Sequence, residues 1–397
     1  MRETERFRKG AVILWTFNVT GKIKAGRGAA GEVGVETAAL GRRAALVVGR
    51  HLIKAGEAAR LQSILGVAGV EAVVIPGPPA EPTLDDIAEA LAKARNARTE
   101  VIVGVGGGSV LDTAKAVAGL YGVPGVPGEV VADMLYGRRP EPGSRQVLPW
   151  VALPTTAGTG SETTHVVVVT DPGHGLKQSM RSSRWFARVV IIDPELYASA
   201  PPQVTAWSGM DALTQAIEAH TALYATPVTK ALSAQAASLI SRHLIRSYRA
   251  GDDLEAREAM AVGSCLAGIA LANSRLGLVH GIAHPVGVRY KIAHGLACAI
   301  LLPHVMRFNL SVAGAGYAEL AQVIGIAEAG PLVAHRLIEM VEEMNRQMQI
   351  PAKLAAVGLR EADFPDLIAQ TMPSGSTKAN PRAVGRDDVA EILAANL

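Results

Sequence analysis

The chain has 397 residues, 49% hydrophobic and 19% charged, which is enough to bury a sizeable core and, at roughly 100–200 residues per domain, to form about two domains. Lys and Arg number 39 against 36 Asp and Glu, leaving a formal charge of +3 with no basic stripe, which argues against nucleic acid as a partner. The two cysteines, Cys265 and Cys298, both in apolar surroundings, exclude a disulfide framework, suit a reducing compartment and read as packed core thiols.

At the N-terminus, MRETERFRKGAVILWTF carries acidic residues in its basic start and no small-residue cleavage site, so it reads as a first strand rather than a signal segment. No apolar run approaches the ~18 residues of a membrane span, since the one at 299–302 soon meets Pro303 and His304. These features point to a soluble, cytoplasmic protein. Up to about residue 200, short β-branched runs alternate with helical stretches: AALVVG at 44–49, EAVVIPG at 71–77, EVIVGVGGG at 100–108, PWVALPTT at 149–156, HVVVVTD at 165–171 and RVVIID at 188–193. Alternation of this kind predicts an open, largely parallel sheet with helices on its faces, and the unbroken apolar runs predict strands buried on both sides.

The first of these strands runs into Gly49 and Arg50, where a dinucleotide enzyme often places an acid for the ribose diol. An absent carboxylate beside a cation favours a 2′-phosphate, hence NADP(H) over NAD(H); the alternative is a solvated Arg50 on a surface turn. Residues 101–115, VIVGVGGGSVLDTAK, read as strand, glycine turn and helix start, where free N–H groups and the helix dipole hold phosphate. Gly104 and Gly106 fit the dinucleotide fingerprint, Ser109 stands at its third glycine, and a tight βα connection is the plainer alternative. Residues 122–146 read as an excursion over the surface. The loop at 154–164, PTTAGTGSETT, offers hydroxyl and N–H donors for a pyrophosphate, with a helix cap at Ser161 as the alternative. After DPELYASAPP the texture becomes Ala/Leu-rich and helical to the end, which places two domains at 1–202 and 203–397.

In the helical half, Asp211 and Gln215 share a helix face, His280 and His284 repeat that spacing, and His294 follows. An Asp with two or three histidines on facing helices can hold a divalent ion, the carboxylate offsetting its charge. His220, His243, His304 and His335 lack such partners and read as structural or solvated, and Met and Leu positions along 333–349 read as helix core.

GGGSVLDTAK, PTTAGTGSE, DPEL, GMDALTQAIEAH, SRLGLVHGIAHPVG, HGLACAILLPHVMRFN and the late Asn380-Pro-Arg382, in that order, resemble the iron-containing (group III) alcohol dehydrogenase family over nearly the whole chain. The fourteen-residue step from His280 to His294 is similar to its alcohol dehydrogenase branch rather than to glycerol dehydrogenase or dehydroquinate synthase, where the step is longer. The resemblance implies an α/β Rossmann-like N-terminal domain with a largely parallel sheet, an all-α C-terminal domain, substrate in the cleft between them, and a homodimer or larger homo-oligomer. It further implies that Gly106, Gly107, Gly108, Ser109 and Asp112, with Thr155, Thr156 and Thr159, hold the dinucleotide, and that Lys177 is the lysine near it. Asp211, His280 and His294 match metal ligands, and His284 matches a pocket histidine able to relay a proton.

The chain departs from the family where an imidazole ligand becomes the amide of Gln215, a poorer donor for late first-row ions. That predicts weaker metal binding, a shift from Fe²⁺ towards Zn²⁺ or another ion, three protein ligands with a water, or an empty site. The resulting reading is a metal-dependent, NAD(P)-dependent alcohol dehydrogenase or aldehyde reductase acting on a small alcohol/aldehyde pair. Gln215 favours one alternative, a metal-independent reductase resembling the maleylacetate reductases. The His280/His294 spacing speaks against a dehydroquinate synthase-like lyase, and a dinucleotide-binding scaffold with a decayed site is the non-enzyme alternative.

Overall fold

The computed structural model describes residues 14–327, 330 and 332–397. Eight strands follow in chain order: β1 Lys22–Ala25, β2 Arg43–Val48, β3 Glu71–Pro76, β4 Val101–Gly106, β5 Trp150–Pro154, β6 Val166–Asp171, β7 Leu176–Arg181 and β8 Val189–Ile192. Six of them form one wholly parallel sheet in the order β1-β8-β5-β4-β2-β3. Strands β4, β5 and β8 are buried at every position and β2 at all but its first, so both faces are covered and the sequence has no polar face to alternate with. Helices α1 Glu57–Val67, α2 Leu84–Asn96 and α3 Gly108–Leu120 accompany the sheet. Thr83 starts α2 with a reciprocal capping box to Asp86.

From Pro202 the described residues are helical, through α4 Pro202–Thr221, α5 Pro227–Arg249, α6 Leu254–Ser274, α7 Leu278–Tyr290, α8 His294–Ile324 and α9 Val333–Gln347. Pro at the first turn of α4 and of α5 suits a position whose N–H has no intrahelical partner. Buried apolar residues gather in two clusters, one running from Ala30 to Tyr197 and one from Ala206 to Leu393. Ala261, Cys265 and Ile269 of α6 belong to the first cluster, so that helix packs onto the α/β half.

Four expectations change. Residues 1–13 of the expected first strand lie outside the described residues, Leu14–Phe17 are irregular, and the first strand is β1. The run at 165–171 becomes β6, which leaves the parallel sheet and pairs antiparallel with β7; the DPGHG turn between them, with Gly175 at φ 61°, was the hairpin signal. Within 122–146, Pro127–Leu135 is a helix burying Val130, Val131 and Leu135. Finally, α8 continues through Pro303 for 31 residues and is long and apolar enough, by length and composition, to cross a membrane; 67% of its most apolar stretch is buried inside the protein, against α4 and its neighbours.

The sheet changes direction between β2 and β4, whose following connections lead to opposite edges. Ligands of open α/β sheets bind beyond the strand ends at such a point. The loop after β5 is anchored there by Lys115 of α3, a fully buried cation. Its Nζ donates to Ser161 Oγ at 2.9 Å, Thr164 Oγ1 at 3.0 Å and the Val166 carbonyl at 2.7 Å, and lies 3.2 Å from Asp112 Oδ1. The same loop rests on α6 at Gly160, where φ is 61° and a Cβ would lie 2.5 Å from Gly268 Cα. On the helical side, α8 starts directly against α4: a Cβ on Gly295 would run into the carbonyl oxygen of Trp207 and reach within 3.4 Å of Asp211 Cβ.

Burial pushes the Glu162 carboxyl up to about 7, against a backbone hydrogen bond and Lys115. A folded value above the unfolded one of ~4.3 means that the native state holds the proton more tightly, so this stabilisation is complete below ~4.3 and lost as pH rises through about 7. Urea midpoints across that range should fall more steeply in the parent than in Glu162→Gln, and parallel profiles would refute the assignment. Gly295→Ala should destabilise by about 1–3 kcal/mol, because a helix backbone cannot retreat as a flexible side chain can; an unchanged urea midpoint would show that α8 moves away from α4 freely.

Candidate active site

Three strand ends build the α/β side of the cleft. The Gly49 N–H donates to the Val105 carbonyl at 3.0 Å, which holds the end of β2 beside that of β4. The Thr155 N–H donates to the Gly106 carbonyl at 3.0 Å and does the same for β5. Gly107 caps α3 with no side chain, leaving the first N–H groups of a 13-residue helix directed beyond the sheet. A Cβ on Gly107 would lie 3.1 Å from Thr156 Oγ1, and one on Gly108 2.6 Å from Thr159 Cγ2. The two loops therefore face each other across a rim that only glycine leaves open. Gly106, Gly107, Gly108, Ser109, Thr155, Thr156 and Thr159 come together here, with Gly49 and Arg50 at the neighbouring strand end.

Arg50 is exposed and donates from Nε to the Gly77 carbonyl at 3.1 Å; its guanidinium borders a cavity also lined by Pro76, Pro78, Asp86 and Thr113. Asp112 departs from the expected cofactor contact. One of its carboxylate oxygens takes Lys115 and the Ser161 hydroxyl, and the other takes the Val168 N–H at 2.8 Å, so it positions the loop rather than facing the cleft. Ser161 is likewise no helix cap, its hydroxyl being shared between Lys115 and Asp112.

On the helical side, Asp211 and Gln215 lie one turn apart on α4, and His280, His284 and His294 come from α7 and the first turn of α8. His280 Nε2 is 3.3 Å and His294 Nε2 3.9 Å from Asp211 Oδ1. The imidazole of His284 closes the group, its centroid 4.9 Å from that of His294 and 6.4 Å from that of His280. Asp211 Oδ1, Gln215 Oε1, His280 Nε2 and His294 Nδ1 are buried without a hydrogen-bond partner. Buried polar atoms are almost always paired, so the unpartnered Asp211 Oδ1 and His280 Nε2, 3.3 Å apart, with Gln215 Oε1 one turn along α4, mark a place built for a further group. The donor chemistry, carboxylate with imidazole nitrogen, is that of a divalent cation.

Three participants lay outside the expected set. Glu218, two turns beyond Asp211 on α4, accepts from His280 Nδ1 at 2.6 Å and from the Val279 N–H at 2.7 Å, orienting the ring so that Nε2 faces Asp211. The Leu278 N–H is taken by Asn380 Oδ1 at 3.2 Å, which gives the Asn380-Pro-Arg382 segment its role in holding the start of α7. Cys298, expected as a packed thiol, has its Sγ 3.6 Å from His294 Nε2. Helical spacing was the available signal for Glu218 and for Cys298, at seven residues from Asp211 and four from His294.

Charge is concentrated here. Burial pulls the His280 imidazole down, but Glu218 and Asp211 outweigh it and raise the ring to about 9. Burial, then the charges of Lys177 and His280, push His284 well below its ordinary value, and His294 moves the same way. Lys177 of β7 thus lies within electrostatic reach of the histidines, its ammonium paired with Glu81. Burial pushes both thiols, Cys265 and Cys298, well up.

Two family profiles cover the chain: iron-containing alcohol dehydrogenase over residues 20–194 and the C-terminal part of the Fe-containing alcohol dehydrogenase family over residues 205–397. The NAD-dependent methanol dehydrogenase of Bacillus methanolicus is 36% identical over 93% of this chain and 96% of that protein. The NADPH-dependent butanol dehydrogenase of Clostridium saccharobutylicum is 35% identical over 89% and 91%. A crystal structure of a 1,3-propanediol oxidoreductase superposes with a TM-score of 0.87 at 33% identity, covering 97% of this chain and all of that one. The chain belongs to the iron-containing alcohol dehydrogenase family.

Proposed function

We propose that Asp211, His280 and His294, with Gln215 beside them, hold a divalent cation, Fe²⁺ or Zn²⁺, and that Gly106–Ser109 with Thr155, Thr156 and Thr159 hold the pyrophosphate of NADP(H). Family membership makes the chain an oxidoreductase acting on CH–OH groups, an alcohol dehydrogenase or aldehyde reductase. The observation that carries the metal reading is the set of buried, unpartnered donor atoms around Asp211. The boundary at 202/203 then separates a dinucleotide domain from a metal- and substrate-binding domain, with a small alcohol or aldehyde between them.

When bound, a divalent cation supplies Lewis-acid polarisation of the substrate oxygen, and a nicotinamide supplies hydride chemistry. The remaining work falls to side chains. Glu218 fixes the His280 tautomer and Asn380 fixes the helix that carries it. His284, kept neutral by burial and by neighbouring cations, offers a ring nitrogen to a hydroxyl proton at the edge of the donor group. Lys177 places positive charge on the cleft from the α/β side.

NADP(H) is preferred because Gly49 and an exposed Arg50 stand at the end of β2 where an acid would hold the ribose diol, Asp86 of the adjoining cavity being bonded to Thr83, and the relatives include both an NAD- and an NADPH-dependent enzyme. The chain is further read as a cytoplasmic homodimer or larger homo-oligomer. β1 is an edge strand, and Leu14, Trp15, Val19 and Ile23 along and before it are exposed, a surface suited to a second copy.

Protein purified without chelator should carry near-stoichiometric Fe or Zn, and its NADPH oxidation with a short aldehyde should stop on chelation. Asp211→Ala should lower kcat/KM by at least ~100-fold. Full activity with no metal would move the chain to the metal-independent reductases. Arg50→Ala should reduce the NADPH-to-NADH ratio of kcat/KM by about 10- to 100-fold, the value of a charge-assisted hydrogen bond; an unaltered ratio would return Arg50 to the solvated surface.

A further inference from the structure

We propose that Cys298 supplies a thiolate donor to the divalent-cation site, so that sulfur takes up the coordination which Gln215 is poorly suited to give. The proposal rests on the metal reading above and identifies which atoms of this chain complete the site. His294 and Cys298 are separated by four residues on α8 and share a face. The donor atoms of Asp211, His280, His294 and Cys298 all lie within 4.8 Å of one another.

The spacing has the right scale. A tetrahedral ion with oxygen and nitrogen ligands at ~2.0–2.1 Å and sulfur at ~2.3 Å separates its ligand atoms by about 3.3–3.7 Å. The observed separations are 3.3 Å from His280 Nε2 to Asp211 Oδ1, 3.6 Å from Cys298 Sγ to His294 Nε2 and 3.9 Å from His294 Nε2 to Asp211 Oδ1.

Asp211, Gln215, His280 and Cys298 are each no more than 3% exposed, so the sulfur lies within the same enclosed group as the other donors. On binding, the sulfur–metal bond forms as the thiol proton leaves to solvent, with no change in oxidation state. A carboxylate, two imidazoles and a thiolate form a softer set than nitrogen and oxygen alone, which favours Zn²⁺ over Fe²⁺.

Absorption spectroscopy at the zinc edge of the zinc-loaded full chain tests this without a variant. One sulfur at ~2.3 Å beside nitrogen and oxygen at ~2.0–2.1 Å is expected. In the cobalt-loaded protein, a thiolate-to-cobalt charge-transfer band should vanish in Cys298→Ser and persist in Cys265→Ser and Gln215→Ala. Competition with a chelator should show zinc affinity falling on the order of 100-fold in Cys298→Ser, at or above the usual loss for an outer-shell partner. Stoichiometric zinc in a sulfur-free shell, or zinc lost in Gln215→Ala and kept in Cys298→Ser, would overturn the role of Cys298 while leaving the metal site standing. Failure of the parent chain to bind zinc or cobalt would overturn both.

Discussion

The helical half of the cleft depends on one backbone approach, the start of α8 against the middle of α4 at Gly295 and Trp207. Because residue 295 has no Cβ, His294 and Cys298 come down on the same turn of α4 that carries Asp211. That approach is held from behind by the apolar seam of α8, with Ala297, Ile300 and Leu301 buried in the cluster that also contains Met210, Leu213 and Ile217. Helices this close are unusual in cores built from large side chains, and here alanine and glycine make room. The composition that makes α8 resemble a membrane span by hydropathy is thus the composition of a helix enclosed by other helices.

The α/β half meets the same problem, how to bury polar groups, in another way. Lys115 loses its hydration completely, and the loss is offset only in part by four oxygens from α3, the loop after β5 and β6, so burial holds the ammonium below its ordinary value. These bonds tie the loop to α3 and β6, and Thr156 and Thr159 face Gly107 and Gly108. Asp112 belongs to this support, both of its carboxylate oxygens being taken by Lys115, Ser161 and the Val168 N–H.

Much of this was legible from residue patterns because the determining signals are local. Apolar runs and glycine turns mark parallel strands, while Asp211 with Gln215 and His280 with His284 stand at helical spacing and His294 follows soon after. The second hairpin strand was obscured because LKQSMR is polar and half-buried, without the β-branched enrichment of its neighbours. Glu218 and Cys298 were missed for another reason. A glutamate on an Ala/Leu-rich helix and a cysteine in an apolar run look like a solvated charge and a packed thiol until α4, α7 and α8 are brought together.

These donor groups form an electrostatic unit whose state follows from their arrangement. His280 lies between two buried carboxylates, Asp211 at Nε2 and Glu218 at Nδ1, and their charge holds its proton to about 9 against the cost of burial. Glu218 takes Nδ1 at 2.6 Å, so Nε2 is the ring nitrogen that faces Asp211, and a cation coordinated there would compete with a proton for its lone pair. His284 and His294, pressed towards neutrality by Lys177 and by one another, add lone pairs rather than charge. The unit therefore sets the two carboxylates of α4 against the imidazole nitrogens of α7 and α8, a division that suits an ion carrying two charges better than any single proton.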